Sequence, residues 1–137
     1  MRIMGLDLGE KTIGVAVSDA LKLTAQGITV ISRAGKKNDF AKLKQIIDEY
    51  EVSTVVIGLP KNMDNSIGDR GELSIKFKDR MEKKFPHLEY KLEDERLTTA
   101  QAQRQLIEAD VSRKTRKKVI DKQAAVLILQ NYLAKLK

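Results

Sequence analysis

Three carboxylates occupy positions where a folded chain would not ordinarily place them. Asp7 lies inside an apolar run, with Ile3, Met4, Leu6 and Leu8 around it and Gly5 and Gly9 flanking it. A carboxylate at a buried strand position is costly unless it is paired or bound to a cation. Glycines on both sides would let a substrate backbone or a metal approach closely. A turn-forming Asp at the end of a hairpin strand would carry the same local signature without any chemistry. Asp121 stands near the start of IDKQAAVLILQNYLAKL, a segment that is apolar nearly all round and reads as a buried helix. Asp121, Ala125, Ile128 and Tyr132 follow helical spacing, so this carboxylate continues an apolar stripe and is expected to face the sheet. Its structural alternative is a helix-start Asp complementing the macrodipole. The third site is the cluster EDERLTT, from Glu93 to Thr99. Strand periodicity puts Glu93 and Glu95 on one face and Asp94 on the other, so only part of this group can face Asp7. Asp94 has the structural alternative of pairing with Arg96 or the following helix start.

Acids converging from a first strand, a fifth strand and a last helix would repel one another unless a hard cation sat between them. Oxygen ligands without His or Cys suit Mg²⁺ or Mn²⁺. Two such ions would activate water and stabilise a leaving oxygen in phosphodiester hydrolysis, with no protein nucleophile needed.

The cations point the same way. The chain carries 26 Lys and Arg against 19 Asp and Glu, a formal charge of +7, which favours a polyanionic partner. The run RKTRKK supplies Arg113, Lys114, Arg116, Lys117 and Lys118 just before the helix that carries Asp121, where they could hold phosphates while the acids hold metal. Lys61 and Arg70 fall in a Gly- and Asn-rich stretch, from Gly58 to Gly71, that reads as one long loop able to clamp a second stretch of nucleic acid, with Gly58, Gly68 and Gly71 giving it freedom to move. Aromatics make up only 4% of the residues, so recognition is expected through backbone and shape and not base stacking. Phe40, Phe77 and Tyr132 sit at helical core spacing and are assigned to packing.

Composition narrows the remaining classes. At 137 residues the sequence fits one domain over 1–137, too short for two lobes enclosing a cleft. Without cysteine there is no disulfide, thiolate zinc or iron-sulfur site, and His87 alone makes no histidine cluster. No segment approaches the roughly 20 apolar residues of a membrane span. The N-terminus runs straight into a strand pattern, so a cytoplasmic location is expected.

These residues must be positioned by a definable set of elements. RIMGLDL and IGVAVS, residues 2 to 8 and 13 to 18, read as an antiparallel pair, and Gly27 to Ser32 as a third strand. With Asn38 as N-cap, Phe40, Leu43, Ile47 and Tyr50 predict a helix, followed by a buried strand over Thr54 to Ile57. A second helix carries Leu73, Phe77 and Met81 and stops near Pro86. A strand from Leu88 to Leu92 follows, then a helix from Thr98 with a capping-box partner at Gln101, and a last helix from about Lys117 to Leu136. The order βββαβαβαα predicts an α/β fold: one mixed five-stranded sheet, three strands antiparallel and then parallel ones, with helices on both faces. Ligand sites in such sheets gather beyond the strand ends.

Four ordered segments, GLDLGEKTIGVAVSD, VIGLPKNMDNSIG, DERLTT and IDKQAAVLILQ, together resemble the YqgF family, also called RuvX, of the RNase H-like superfamily. The resemblance spans almost the whole chain. It implies an RNase H-like sheet with Asp7, Glu95 and Asp121 as metal-binding catalytic acids, and Asp94 and Glu93 as further candidate acids. It also implies nuclease activity linked to 5′-end maturation of pre-16S ribosomal RNA, with ribosomal particles as partners. The family's earlier name adds Holliday junction resolution as an alternative, with branched DNA as substrate. Thr12, Glu10, Glu93 and Asn65 depart from residue types common in that family, and none of these departures removes a carried-over acid. A resolvase needs two symmetric active sites, so monomer and homodimer separate the two substrates.

Two other classes compete. An Asp-x-Gly hairpin also handles phosphates in actin-like ATPases and sugar kinases, which need two such domains. An RNA-binding assembly factor that has lost turnover would keep the fold, but the intact acids count against it.

Overall fold

The computed structural model describes residues 1–9, 11–60, 66–94 and 113–136, with side chains in the last helix from Lys122 onward. The chain opens with β1 (Arg2–Leu8), β2 (Thr12–Ser18) and β3 (Ala25–Ser32), continues through α1 (Lys36–Glu49), β4 (Val52–Leu59), α2 (Asp69–Lys84) and β5 (Glu89–Asp94), and closes its described part with α3 (Arg113–Lys135). The strands form one sheet in the order β3-β2-β1-β4-β5. β1, β2 and β3 pair antiparallel, whereas β1, β4 and β5 are parallel. The expected mixed α/β sheet with helices on both faces is therefore what the chain adopts.

Alternation along the strands divides two cores. Met4, Leu6, Leu8, Val15, Val55 and Ile57 face α1 and α2, where Leu43, Ile47, Phe77 and Met81 meet them. Ile3, Ala16 and Val56 face the other way, onto Ala125, Ile128, Leu129 and Leu133 of α3. The second layer is thin because the sheet there presents small residues in one row, Gly5, Ala16 and Gly27, brought side by side by the strand register. A β-carbon on Gly5 would sit 2.9 Å from Leu129 Cβ and 3.1 Å from the Ala125 carbonyl oxygen. Gly5 is thus a point of close helix-to-sheet approach, in place of the substrate or metal approach expected from the sequence.

Fixed contacts give the course of α3. Lys122 lies over Gly27 of β3, Ala125 and Leu129 over Gly5 of β1, and Lys135 reaches Glu93 of β5. Thirteen residues of helix rise about 20 Å, and four strand spacings span about 19 Å, so α3 runs nearly perpendicular to the strands across the whole sheet.

Several boundaries differ from expectation. α1 begins at Lys36, with Gly35 (φ 110°) at its N-cap, so Asn38 lies in the first turn, where its amide donates to the Ala34 carbonyl. The buried Asp39 accepts the Ala34 N–H instead, and it also pairs with Arg33. The long loop is shorter than expected. Gly58 is inside β4, while Arg70 and Gly71 lie in the first turn of α2, where Gly71 packs against Ile67 and the Pro60 carbonyl and so gives the loop no freedom. Leu73 is 52% exposed; the buried stripe of α2 runs through Ser74, Phe77 and Met81. The basic run Arg113–Lys118 lies inside α3, which starts four residues earlier than the sequence pattern indicated. The helix expected from Thr98, with Gln101, lies outside the described residues. No helix of the described residues is long and apolar enough to cross a membrane.

Candidate active site at the ends of the parallel strands

β1, β4 and β5 all point their C-terminal ends to one edge, and this edge carries the acids. Leu6 pairs with Ile57 and Ile57 with Leu92, so one residue further on Asp7, Gly58 and Glu93 lie level. Parallel strands in register project level residues to the same face, which puts Asp7 and Glu93 on the face covered by α3. Their Cα atoms are separated by two strand spacings, roughly 10 Å, and Gly58 places no side chain between them. Asp94, paired in register with Leu59, projects from the opposite face, where Leu59 packs toward α2, and it is exposed.

Asp7 is only 8% exposed, in a strand whose other residues are almost all buried hydrophobics. Antiparallel pairing sets it opposite Gly14 of β2, so side-chain bulk is absent on both neighbouring strands. Glu93 is 5% exposed and accepts a hydrogen-bonded ion pair from Lys135 at the far end of α3. That pairing satisfies the Glu93 carboxylate without a metal. Position 121 lies four residues, about 6 Å along the helix, before the Ala125 that rests on Gly5, and Asp7 lies two residues, about 7 Å along β1, beyond that same Gly5. The backbone thus brings α3 across β1 at Gly5, with position 121 on the β3 side of that crossing, beside the Lys122 that lies over Gly27. The side chain of Asp121, Glu95 and Lys61 lie outside the described residues, as do the side chains of Arg113, Lys114, Arg116, Lys117 and Lys118. Among the described residues no three acids or histidines gather into a metal cluster. What is described does fit a hard divalent cation: an enclosed carboxylate at a strand end, in a chain with no cysteine, where oxygen donors are the available ligands.

On the other face of the same strand end lies an open, shallow cleft lined by Leu8, Gly9, Arg33, Arg70, Leu73, Phe77 and Arg80. Arg33 donates to the Gly9 carbonyl (2.9 Å) and Arg70 to the Leu8 carbonyl (3.2 Å), so both guanidinium groups are fixed against the last residues of β1. Sequence reasoning selected Arg70 and missed Arg33 and Arg80. Arg70, Leu73, Phe77 and Arg80 share one helical stripe, a signal that was available; Arg33 lies just past β3, and only the β2–β3 pairing folds it over the β1–β2 hairpin.

The full-length pattern of this fold has close relatives. A family model described as "RuvX: Holliday junction resolvase" matches residues 1–135. Proteins named "Putative pre-16S rRNA nuclease" are 57% identical over 134 residues in Thermoanaerobacter pseudethanolicus, covering 97% of this chain and 96% of that protein, and 57% identical over 132 residues in Clostridioides difficile, covering 96% and 93%. Among solved structures, the RuvC protein of T. thermophilus in complex with a Holliday junction substrate superposes with a TM-score of 0.60 at 13% identity, over 99% of this chain and 96% of that one. The fowlpox virus resolvase complexed with Holliday junction DNA gives 0.59 at 17% identity over 99% of both chains. At such identities the structures speak for the RNase H-like resolvase fold alone. The sequence match, covering nearly every residue, goes further, and the chain belongs to the RuvX family.

Proposed function

We propose that this chain is a divalent-metal-dependent nuclease, folded as one domain over residues 1–137, that hydrolyses phosphodiester bonds in 5′-end maturation of pre-16S rRNA. The observation that carries this reading is the buried Asp7 at the common end of the parallel strands, under the helix that bears position 121, in a chain whose relatives carry the pre-16S rRNA nuclease name. Asp7, Glu95 and Asp121 are the residues that would hold Mg²⁺ or Mn²⁺. Bound there, such an ion supplies Lewis acidity at a phosphoryl oxygen and makes water a stronger nucleophile.

The chain's own contribution is position and exclusion. The β1 ladder holds the Asp7 carboxylate on the α3 face. Lys135 engages the neighbouring Glu93 carboxylate, and of the two acids at that sheet level Asp7 is the one assigned to the metal. Arg113, Lys114, Arg116, Lys117 and Lys118, in the opening turns of α3, and Lys61 after β4 are the cations proposed to hold the nucleic-acid backbone.

The test is cleavage of a 5′-extended pre-16S rRNA fragment with Mn²⁺ or EDTA. Asp7→Asn should cut at least about a hundredfold more slowly, the scale expected when metal binding is impaired, and should bind the RNA with unchanged affinity. Cleavage that survives Asp7→Asn or EDTA would overturn the proposal. The family description favours a second reading, resolution of branched DNA. Cutting of a four-way DNA junction by a homodimer, with the RNA left intact, would establish it.

A further inference from the structure

The arginine cleft across β1 from Asp7 has no place in the mechanism above. Three guanidinium groups line it with no acid among the lining residues, and its floor is apolar, from the exposed Leu73 and the buried Phe77. A purely structural role accounts for part of this: Arg33 and Arg70 staple the carbonyls that end β1. Each guanidinium has five N–H donors, however, and the stapling bonds use one from each. Arg33 also shares the buried Asp39 at 3.8 Å, and its guanidinium carbon stands 6.0 Å from the centre of the Phe77 ring. Arg80 has no such task, since it makes no ion pair or hydrogen bond among the described residues and is exposed. Two arginines anchored by backbone carbonyls, a third with no partner among the described residues, and an apolar surface beside them combine a planar anion receptor with a face on which a sugar or a base can rest.

We propose that this cleft binds one nucleotide unit, its phosphate held by Arg33, Arg70 and Arg80 and its sugar or base resting on Leu73. The proposal deepens the nuclease reading and rests on it for the source of that unit, a strand passing over Gly9 from the Asp7 side of β1 to the other. The cleft then fixes the register of the strand by a phosphate remote from the one attacked. A free nucleoside monophosphate presents the same chemistry, and the experiment separates the two sources.

The protein is titrated against a labelled single-stranded RNA in EDTA, so that binding is read without turnover, using wild type, Arg80→Gln and Lys22→Gln. Lys22 is exposed in the β2–β3 turn at the opposite end of the sheet and loses the same charge. Arg80→Gln should weaken binding about three- to fivefold at low salt, the size of an exposed charge contact, and lower the log–log salt slope by about 0.7, one phosphate on a single strand. Lys22→Gln should leave that slope unchanged. Dependence on Arg80 for adenosine monophosphate but not for RNA would assign the cleft to a free nucleotide. Equal effects of Arg80→Gln and Lys22→Gln on the RNA, with no Arg80-dependent binding of the monophosphate, would overturn the proposal. Failure of the nuclease reading looks different: cutting that survives Asp7→Asn while Arg80-dependent binding persists.

Discussion

Gly5→Ala separates two roles for a glycine that adjoins the candidate catalytic strand. The added methyl would lie 2.9 Å from Leu129 Cβ and 3.1 Å from the Ala125 carbonyl oxygen. Carbon atoms pack best at about 3.5 to 4.0 Å, so α3 must recede from the sheet by roughly 0.6 Å or more. Neither clashing atom belongs to a flexible side-chain end, and rotamer changes cannot relieve the overlap. Overpacking of this kind costs about 1 to 3 kcal/mol. Replacing Gly by Ala returns about 0.4 to 1 kcal/mol through the unfolded chain, and Gly5 has no positive φ that would make alanine strained. The net expectation is a loss of about 1 to 2 kcal/mol, read as a lower urea midpoint at unchanged slope. Cleavage should fall as well, because α3 carries position 121 and moves with the displaced face. An unchanged or raised midpoint would refute the packing argument. If activity alone were lost at full stability, Gly5 would serve substrate approach, the role its sequence context first indicated.

Further expectations concern charge. Lys135→Met should destabilise the fold by about 1 to 2 kcal/mol, less than for a fully buried pair because Lys135 is itself exposed. Adding Glu93→Gln should recover most of that loss in a double-mutant cycle of urea midpoints, and independent, additive losses would show that the pair does not couple. Tyr90 donates its hydroxyl to the Met81 and Phe85 carbonyls, and burial, helped by nearby Glu82, pushes its phenol up to about 12. The fold favours the protonated form, so this contribution is complete below about pH 10, the unfolded phenol's value, and is lost as pH rises from there through 12. Tyr90→Phe should flatten the alkaline fall in melting temperature over that window; an identical fall in both proteins would assign it to other groups.

Much of the fold was legible because it rests on local periodicity. Alternation in RIMGLDL and IGVAVS, the β-branched run TVVI and the apolar stripe after Asp121 each reflect a face that must be buried. Element ends were less legible, because the sequence rules for starts and stops register side-chain caps, whereas α1 and α2 begin at Gly35 and Gly68 with no side-chain cap. The basic run was placed outside its helix for a related reason: five cations at a helix N-terminus oppose the macrodipole, yet α3 extends through them.

By itself, the sequence determined the kind of chemistry available. Carboxylates in apolar contexts, no cysteine, one histidine and an excess of cations favour hard-metal and phosphate chemistry over thiolate or histidine-cluster chemistry, since those properties belong to residue types and not to their arrangement. Only the tertiary structure decided which residues share a face. Strand register levelled Glu93 with Asp7 and turned Asp94 away, the crossing of α3 took Glu93 for Lys135, and the β2–β3 pairing carried Arg33 to the end of β1. Those outcomes depend on contacts between residues distant in the chain, Leu6 with Ile57, Glu93 with Lys135 and Arg33 with Gly9, and local sequence carries no record of such contacts until the sheet forms.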